Sequence, residues 1–170
     1  MRAAKGRIMQ ISRDTLGRML IDEIGSPAAD GLQAEFLGAI VTGVALAVGD
    51  SDVKYLGASF RAVDDIVGVR VGVFTESTII TVEAARARTG ESDVITHVHR
   101  RADLDRLEIT GGTPSLGADE FAEWPGEFTV RALYNDGLEL VIPMSDANTP
   151  QKRNAVWTIL NGLRADLGDH

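Results

Sequence analysis

The chain has no cysteine among its 170 residues. That excludes a disulfide framework and any thiolate metal site, and it suits a reducing compartment, so the expected location is cytoplasmic. Aromatic residues are scarce at 5%, which leaves the core to aliphatic side chains. Basic residues are scarce in one region. Residues 107–149 hold eight acids (Glu108, Asp119, Glu120, Glu123, Glu127, Asp136, Glu139 and Asp146) against the single base Arg131. Most of the net charge of −8 therefore falls in that segment. Such a surface repels phosphate backbones and anionic lipids, so neither nucleic acid nor a membrane surface is expected as a partner. Long apolar runs are missing too. Phe36–Val48 has 13 residues, against the roughly 20 that span a bilayer. The first residues are basic, but polar ones follow where a signal peptide has its apolar centre. There is no G-x-S-x-G, and Gly111-Gly112-Thr113 lacks the lysine of a phosphate loop. No cofactor is expected.

What is present is a chain with 44% apolar residues, enough for one domain with a real core. Its organising stretch is Gly68–Glu83. Val69, Val71 and Val73 alternate with Arg70 and Gly72, the period of a half-buried strand. Thr75-Glu76-Ser77 breaks the run, and Thr78–Val82 resumes it with β-branched residues, which suit a pleated surface. Further strands are expected at 55–62, 66–74, 78–85, 93–100, 105–110, 127–134 and 138–143. The last two flank Asn135-Asp136-Gly137, the strongest hairpin signal in the chain. Residues 111–126 read as a long acidic loop.

Helices are expected at both ends. Leu16, Met19, Leu20 and Ile24 recur at helical spacing, with Gly25 as a stop. Ser26-Pro27 reads as a new start, for a helix 27–48 striped by Leu32, Phe36, Ile40, Val44 and Val48. That stripe either packs in the core or pairs with a partner chain. Residues 1–50 thus form an N-terminal helical segment. Thr149-Pro150 opens a final helix with Val156, Ile159, Leu160 and Leu163 on one face.

Seven strands and one closing helix resemble the bacterial pleckstrin-homology-like families. The residues that carry the resemblance are Val73-Phe74-Thr75, Ile79-Ile80-Thr81-Val82, Ile95-Thr96-His97-Val98, Leu104–Ile109, Leu138–Pro143 and the helix from Pro150. It spans residues 53–168. The fold it implies is α+β: a seven-stranded antiparallel barrel capped by the C-terminal helix, preceded by the N-terminal helical pair. The function it implies is a scaffold that binds peptides, lipids or other subunits and seldom catalyses. Lys54, Arg61 and Arg70 stand where the lipid-binding version has its bases, but Asp64-Asp65 sits among them and speaks against a phosphoinositide.

Three groups are candidate sites. His97-x-His99 places two imidazoles on one face of a strand, where Asp93, Asp103 or Asp105 could complete a metal site. The plainer reading is a solvated strand face. Arg86, Arg88, Arg100, Arg101 and Arg106 cluster in sequence around the same strands. They suggest a basic patch for an anionic partner, or for the acidic 107–149 segment of a neighbouring copy. Phe121 and Trp124, in the acidic loop, suit a partner anchor. With the stripe Phe36, Ile40 and Val44, these residues point to a non-catalytic interaction or assembly domain, such as a subunit of a bacterial or phage assembly. The alternative is a metal-binding enzyme or sensor built on His97 and His99.

Overall fold

The computed structural model describes residues 12–25, 31–111, 126–145 and 149–168. Helix α1 is Arg13–Ile24, and Ser12 caps it by accepting from the Thr15 amide at 3.1 Å. Gly25, at φ +83°, ends it as the sequence predicts. Helix α2 is Ala34–Val48, shorter than the expected 27–48. Gln33 stands at its N-cap without a side-chain hydrogen bond, so no cap signal marks the true start. Ser26-Pro27 lies outside the described residues.

The strands follow the sequence expectation closely: β1 Tyr55–Val63, β2 Ile66–Phe74, β3 Thr78–Ala87, β4 Ser92–Arg100, β5 Leu104–Gly111, β6 Phe128–Tyr134 and β7 Glu139–Ile142. Helix α3, Pro150–Gly168, closes the chain, and Thr149 Oγ1 accepts from the Lys152 amide as its cap. The architecture is α+β with two antiparallel sheets, ordered β1-β2-β3-β4 and β5-β6-β7. They do not close into the expected barrel. A 3-10 turn, Arg101–Asp103, breaks the path from β4 to β5. The other end stops as well, because β7 runs into Pro143, which has no N–H to extend a ladder.

Register gives the first sheet two different faces. On one, the rows Leu56-Val73-Ile80-Val98, Ala58-Val71-Val82-Thr96 and Phe60-Val69-Ala84-Val94 run across β1 to β4. They meet Leu16 and Leu20 of α1 and Phe36, Ile40, Val44 and Val48 of α2 in one core. On the other face, the row Tyr55-Phe74-Ile79 joins a second core with Leu104, Val130, Ala132, Leu140 and Ile142. Val156, Ile159, Leu160 and Leu163 of α3 are buried there, the four that helical spacing sets on one face. The next row is small: Gly57-Gly72-Thr81. A Cβ on Gly72 would stand 2.8 Å from Met144 Sδ, so the glycine admits the chain that follows β7.

Arg101 pins these layers together. Its Nη1 donates to the carbonyls of Thr75 (2.8 Å) and Glu76 (3.2 Å), and its Nε and Nη2 donate to Asp166 Oδ2 of α3 at 3.0 and 2.8 Å. A Cβ on Gly162 would come within 2.9 Å of Nη2, so the helix is notched to receive the guanidinium. Lys152 and Glu23 form a second tie, 3.3 Å apart and mostly buried, which links α3 to α1 through Ser145.

Arg101→Ala is expected to cost about 3 kcal/mol in urea unfolding, because it strands a part-buried carboxylate and two carbonyls. A loss under about 1 kcal/mol, the worth of a surface pair, would show the tie to be idle. Gly162→Ala is expected to destabilise the natural chain and to stabilise the Arg101→Ala background, by about 1 kcal/mol from helix propensity. The Tyr134 hydroxyl is buried with no hydrogen-bond partner among the described residues. Tyr134→Phe should therefore raise stability, by about 1 kcal/mol, and a fall would reveal a hidden partner.

Candidate functional site

The rest of the outer sheet face is uncovered. Beyond the glycine row, Ser59, Arg70, Glu83 and Ile95 stand in register. The β6–β7 hairpin leans over this face and leaves a cleft of about 750 Å³, walled on one side by Thr81, His97 and His99 and on the other by Asp136 and Glu139. The hairpin keeps its shape because the Gly137 amide donates to the Tyr134 carbonyl at 3.0 Å and Gly137 takes φ +87°. Only a residue free of Cβ crowding enters that conformation readily, as the Asp-Gly signal implies.

Two contacts hold the hairpin over the sheet. Arg70 Nη2 donates to the Glu139 carbonyl at 3.1 Å, while its Nε stands 3.6 Å from Glu83, close enough to pair charges and too long for a hydrogen bond. His99 Nδ1 lies 2.5 Å from Asp136 Oδ2. That contact, with the Leu138 amide, holds the Asp136 carboxyl below the usual carboxylate range. On the hairpin itself Arg131 bridges Glu139 at 2.7 Å and Glu108 at 3.1 Å. The Glu139 carboxyl is lowered by Arg131, and the guanidinium is raised in turn, first by Glu139 and then by Glu108.

His99 Nε2 lies 3.4 Å from Thr81 Oγ1, so Asp136, His99 and Thr81 line up as carboxylate, imidazole and hydroxyl. This is the order of a nucleophilic triad. Its hydroxyl is poorly placed for attack. Thr81 is only 3% exposed, in the middle of a strand whose ladder partners are Gly72 and His97. The alignment acts as a tie between sheet and hairpin.

His97 and His99 do share a face, with ring centroids 6.1 Å apart. The proposed third ligands do not join them: among the described residues no three His, Asp or Glu side chains gather where they could hold a metal ion. The arginines are dispersed. Arg86 lies opposite Ser92 and Arg100 opposite Thr78, at the two ends of the sheet and roughly 26 Å apart at strand rise. Arg88 pairs with Asp65, Arg106 with Glu108, and Arg101 is the internal tie. Arg100 remains exposed. Phe36, Ile40 and Val44 are buried on the sheet, so the α2 stripe is occupied within the chain. Phe121 and Trp124 lie outside the described residues.

Sequence reasoning missed Asp136 and Thr81 as partners of His99, and missed the outer flank of α2. Leu46 is 75% exposed there, and Val98 and Ile95 on β4 are 56% and 46% exposed. Pairing the expected strands three and four would have set Thr81 opposite His97; nothing local announces Asp136. Among the described residues no helix is long and apolar enough to cross a membrane. Compared with family models, curated proteins and solved structures, the chain finds no match.

The depressed carboxyls fix a pH dependence. Asp136 and Glu139 keep their charge in the folded chain to lower pH than in the unfolded one. Their stabilisation is complete above the ordinary carboxylate range and disappears as pH falls through the lowered folded values. Asp136→Asn with Glu139→Gln should flatten the acid side of a Tm-against-pH curve. Parallel curves for variant and natural chain would contradict the assignment.

Proposed function

We propose that the protein is a non-catalytic interaction and assembly domain that works by protein–protein contact, chiefly self-association, on a pleckstrin-homology-like scaffold. Four strands, three strands and a closing helix follow the order of that family, and α3 closes the second core with the four residues that helical spacing sets on one face. The absence of barrel closure departs from the pattern. Its setting would be a subunit of a larger bacterial or phage assembly.

The observation that carries the reading is the apolar surface beside β4. Leu46 and Val98 stay exposed on a helix and strand that pack against each other, and Ile95 is exposed on the opposite face of the same edge strand. Exposed apolar groups gathered along one edge favour an interface over a solvated rim. The cleft supports binding over chemistry, since its one hydroxyl beside a histidine is buried in a ladder. A head-to-tail assembly through a basic patch has less support, because the arginines are tied to acids or divided between the two ends of the sheet.

Sedimentation velocity across rising protein concentration tests the proposal, at low and at high salt. The expected result is a concentration-dependent shift above the monomer mass that survives high salt, as contact between apolar surfaces does. A clean monomer at every micromolar concentration and both salts would overturn self-association. Open-ended polymers that dissolve in salt would instead favour the head-to-tail alternative.

A further inference from the structure

Two sheets have four edges, and three of these are blunted. β5 carries a register shift between Leu104 and Arg106, with Asp105, Arg106 and Glu108 along it. β7 is four residues long and ends at Pro143. β1 has both α1 and α3 packed against it. Strand β4 has α2 against one face and charges only towards its ends, at Asp93 and Arg100, and its edge is neither bulged nor cut short. Its nine residues pair with β3 without a bulge, it contains no proline or lysine, and no other described strand pairs with it. A long regular edge of this kind is a template for another strand.

Three features say which strand it fits. The buried row Leu56-Val73-Ile80 runs into Val98, where burial gives way to 56% exposure, so the apolar layer continues past the point where α2 covers it. Helix α2 leaves a flank beside it. Ala39, Gly43 and Leu46 share one side at helical spacing, and Gly43 lies against Thr96, with room for no Cβ (2.5 Å to Thr96 Oγ1). From Ala39 to Leu46 that flank carries no charge, Glu35 lying one turn before it, and Leu46 is 75% exposed. Third, β4 is polarised: Glu91 and Asp93 precede or open it, and His97, His99 and Arg100 close it. An antiparallel copy of the same strand brings each acidic start to the other's basic end.

We propose that β4 is a dimer seam, pairing antiparallel with β4 of a second copy about a two-fold axis at Thr96, so that the two four-stranded sheets become one eight-stranded sheet. In this register Val94 faces Val98, Asp93 faces His99, Ser92 faces Arg100 and Thr96 faces itself. Leu46 of each α2 lies over the seam. The contact is isologous and closes at two copies. It rests on the self-association reading above and specifies its surface.

The absence of cysteine in the full chain makes the test direct. Thr96→Cys should form a disulfide-linked dimer under mild oxidation, because only this register sets residue 96 against its own copy. Ile66→Cys, exposed at the β1–β2 turn, should not. Leu46→Glu with Val98→Glu, both on exposed positions, should weaken dimerisation by about tenfold or more in sedimentation, with circular dichroism and Tm unchanged. A dimer that neither crosslinks through residue 96 nor responds to the glutamates overturns the seam and leaves self-association standing. A chain that is monomeric throughout overturns both. Loss of dimer with loss of Tm would be read from the crosslink alone.

Discussion

The guanidinium of Arg101 stands where the β2–β3 turn, the end of β4 and helix α3 converge, and the arrangement of the layers depends on it. Backbone carbonyls at Thr75 and Glu76 would otherwise point into the join between the sheets with too few donors. A lysine could not replace it, since one ammonium lacks the planar fork that reaches two carbonyls and a carboxylate at once. Gly162 supplies the space and Asp166 the counter-charge, one turn apart on the same helix. The break in the strand path at this turn separates the second sheet from the first. It is also the point at which the barrel fails to close.

With that join fixed, the outer face of the first sheet divides by rows. Tyr55, Phe74 and Ile79 are apolar and take the second sheet and α3. The glycine row beside them lets Met144 approach the backbone. Only then do charges begin, at Arg70 and Glu83, and the layer above has lifted away into the hairpin. The cleft is therefore a by-product of a gradient in side-chain size along β1 to β4. Its two bridges, Arg70 to Glu139 and His99 to Asp136, keep the hairpin from splaying off a face too polar to hold it by burial.

How much of this could be read in the sequence follows the range of each signal. Alternation, Asp136-Gly137 and Thr149-Pro150 act over a few residues, and the strands, the hairpin and the start of α3 stand nearly where they were expected. The stripe of α2 told that it is buried, though not against what. Its start at Ala34 left no local signal, because Gln33 stands at the N-cap without a side-chain hydrogen bond. Contacts between layers leave no local trace. Arg101 looked like one more surface base beside Arg100, and only its neighbours across the fold make it internal. His99 looked like a metal ligand because its partner is thirty-seven positions away in sequence, in the other sheet.

The same logic separates the exposed apolar residues. Val63 and Ile66 flank the β1–β2 turn, where Asp64 and Asp65 sit between them, so each is an isolated side chain at a charged tip. Surfaces of that kind are ordinary and imply no partner. Val98 differs because its neighbours along the row are fully covered and it is not: the core ends at a boundary set by the width of α2, not by any change in the character of the strand. An apolar layer ends in polar residues when solvent is its intended neighbour. Here two of the three rows end in valine, at Val94 and Val98, on an edge that carries no bulge and no proline. An edge of that composition favours a further strand over solvent, and the strand's own acidic start and basic end suit an antiparallel copy of itself.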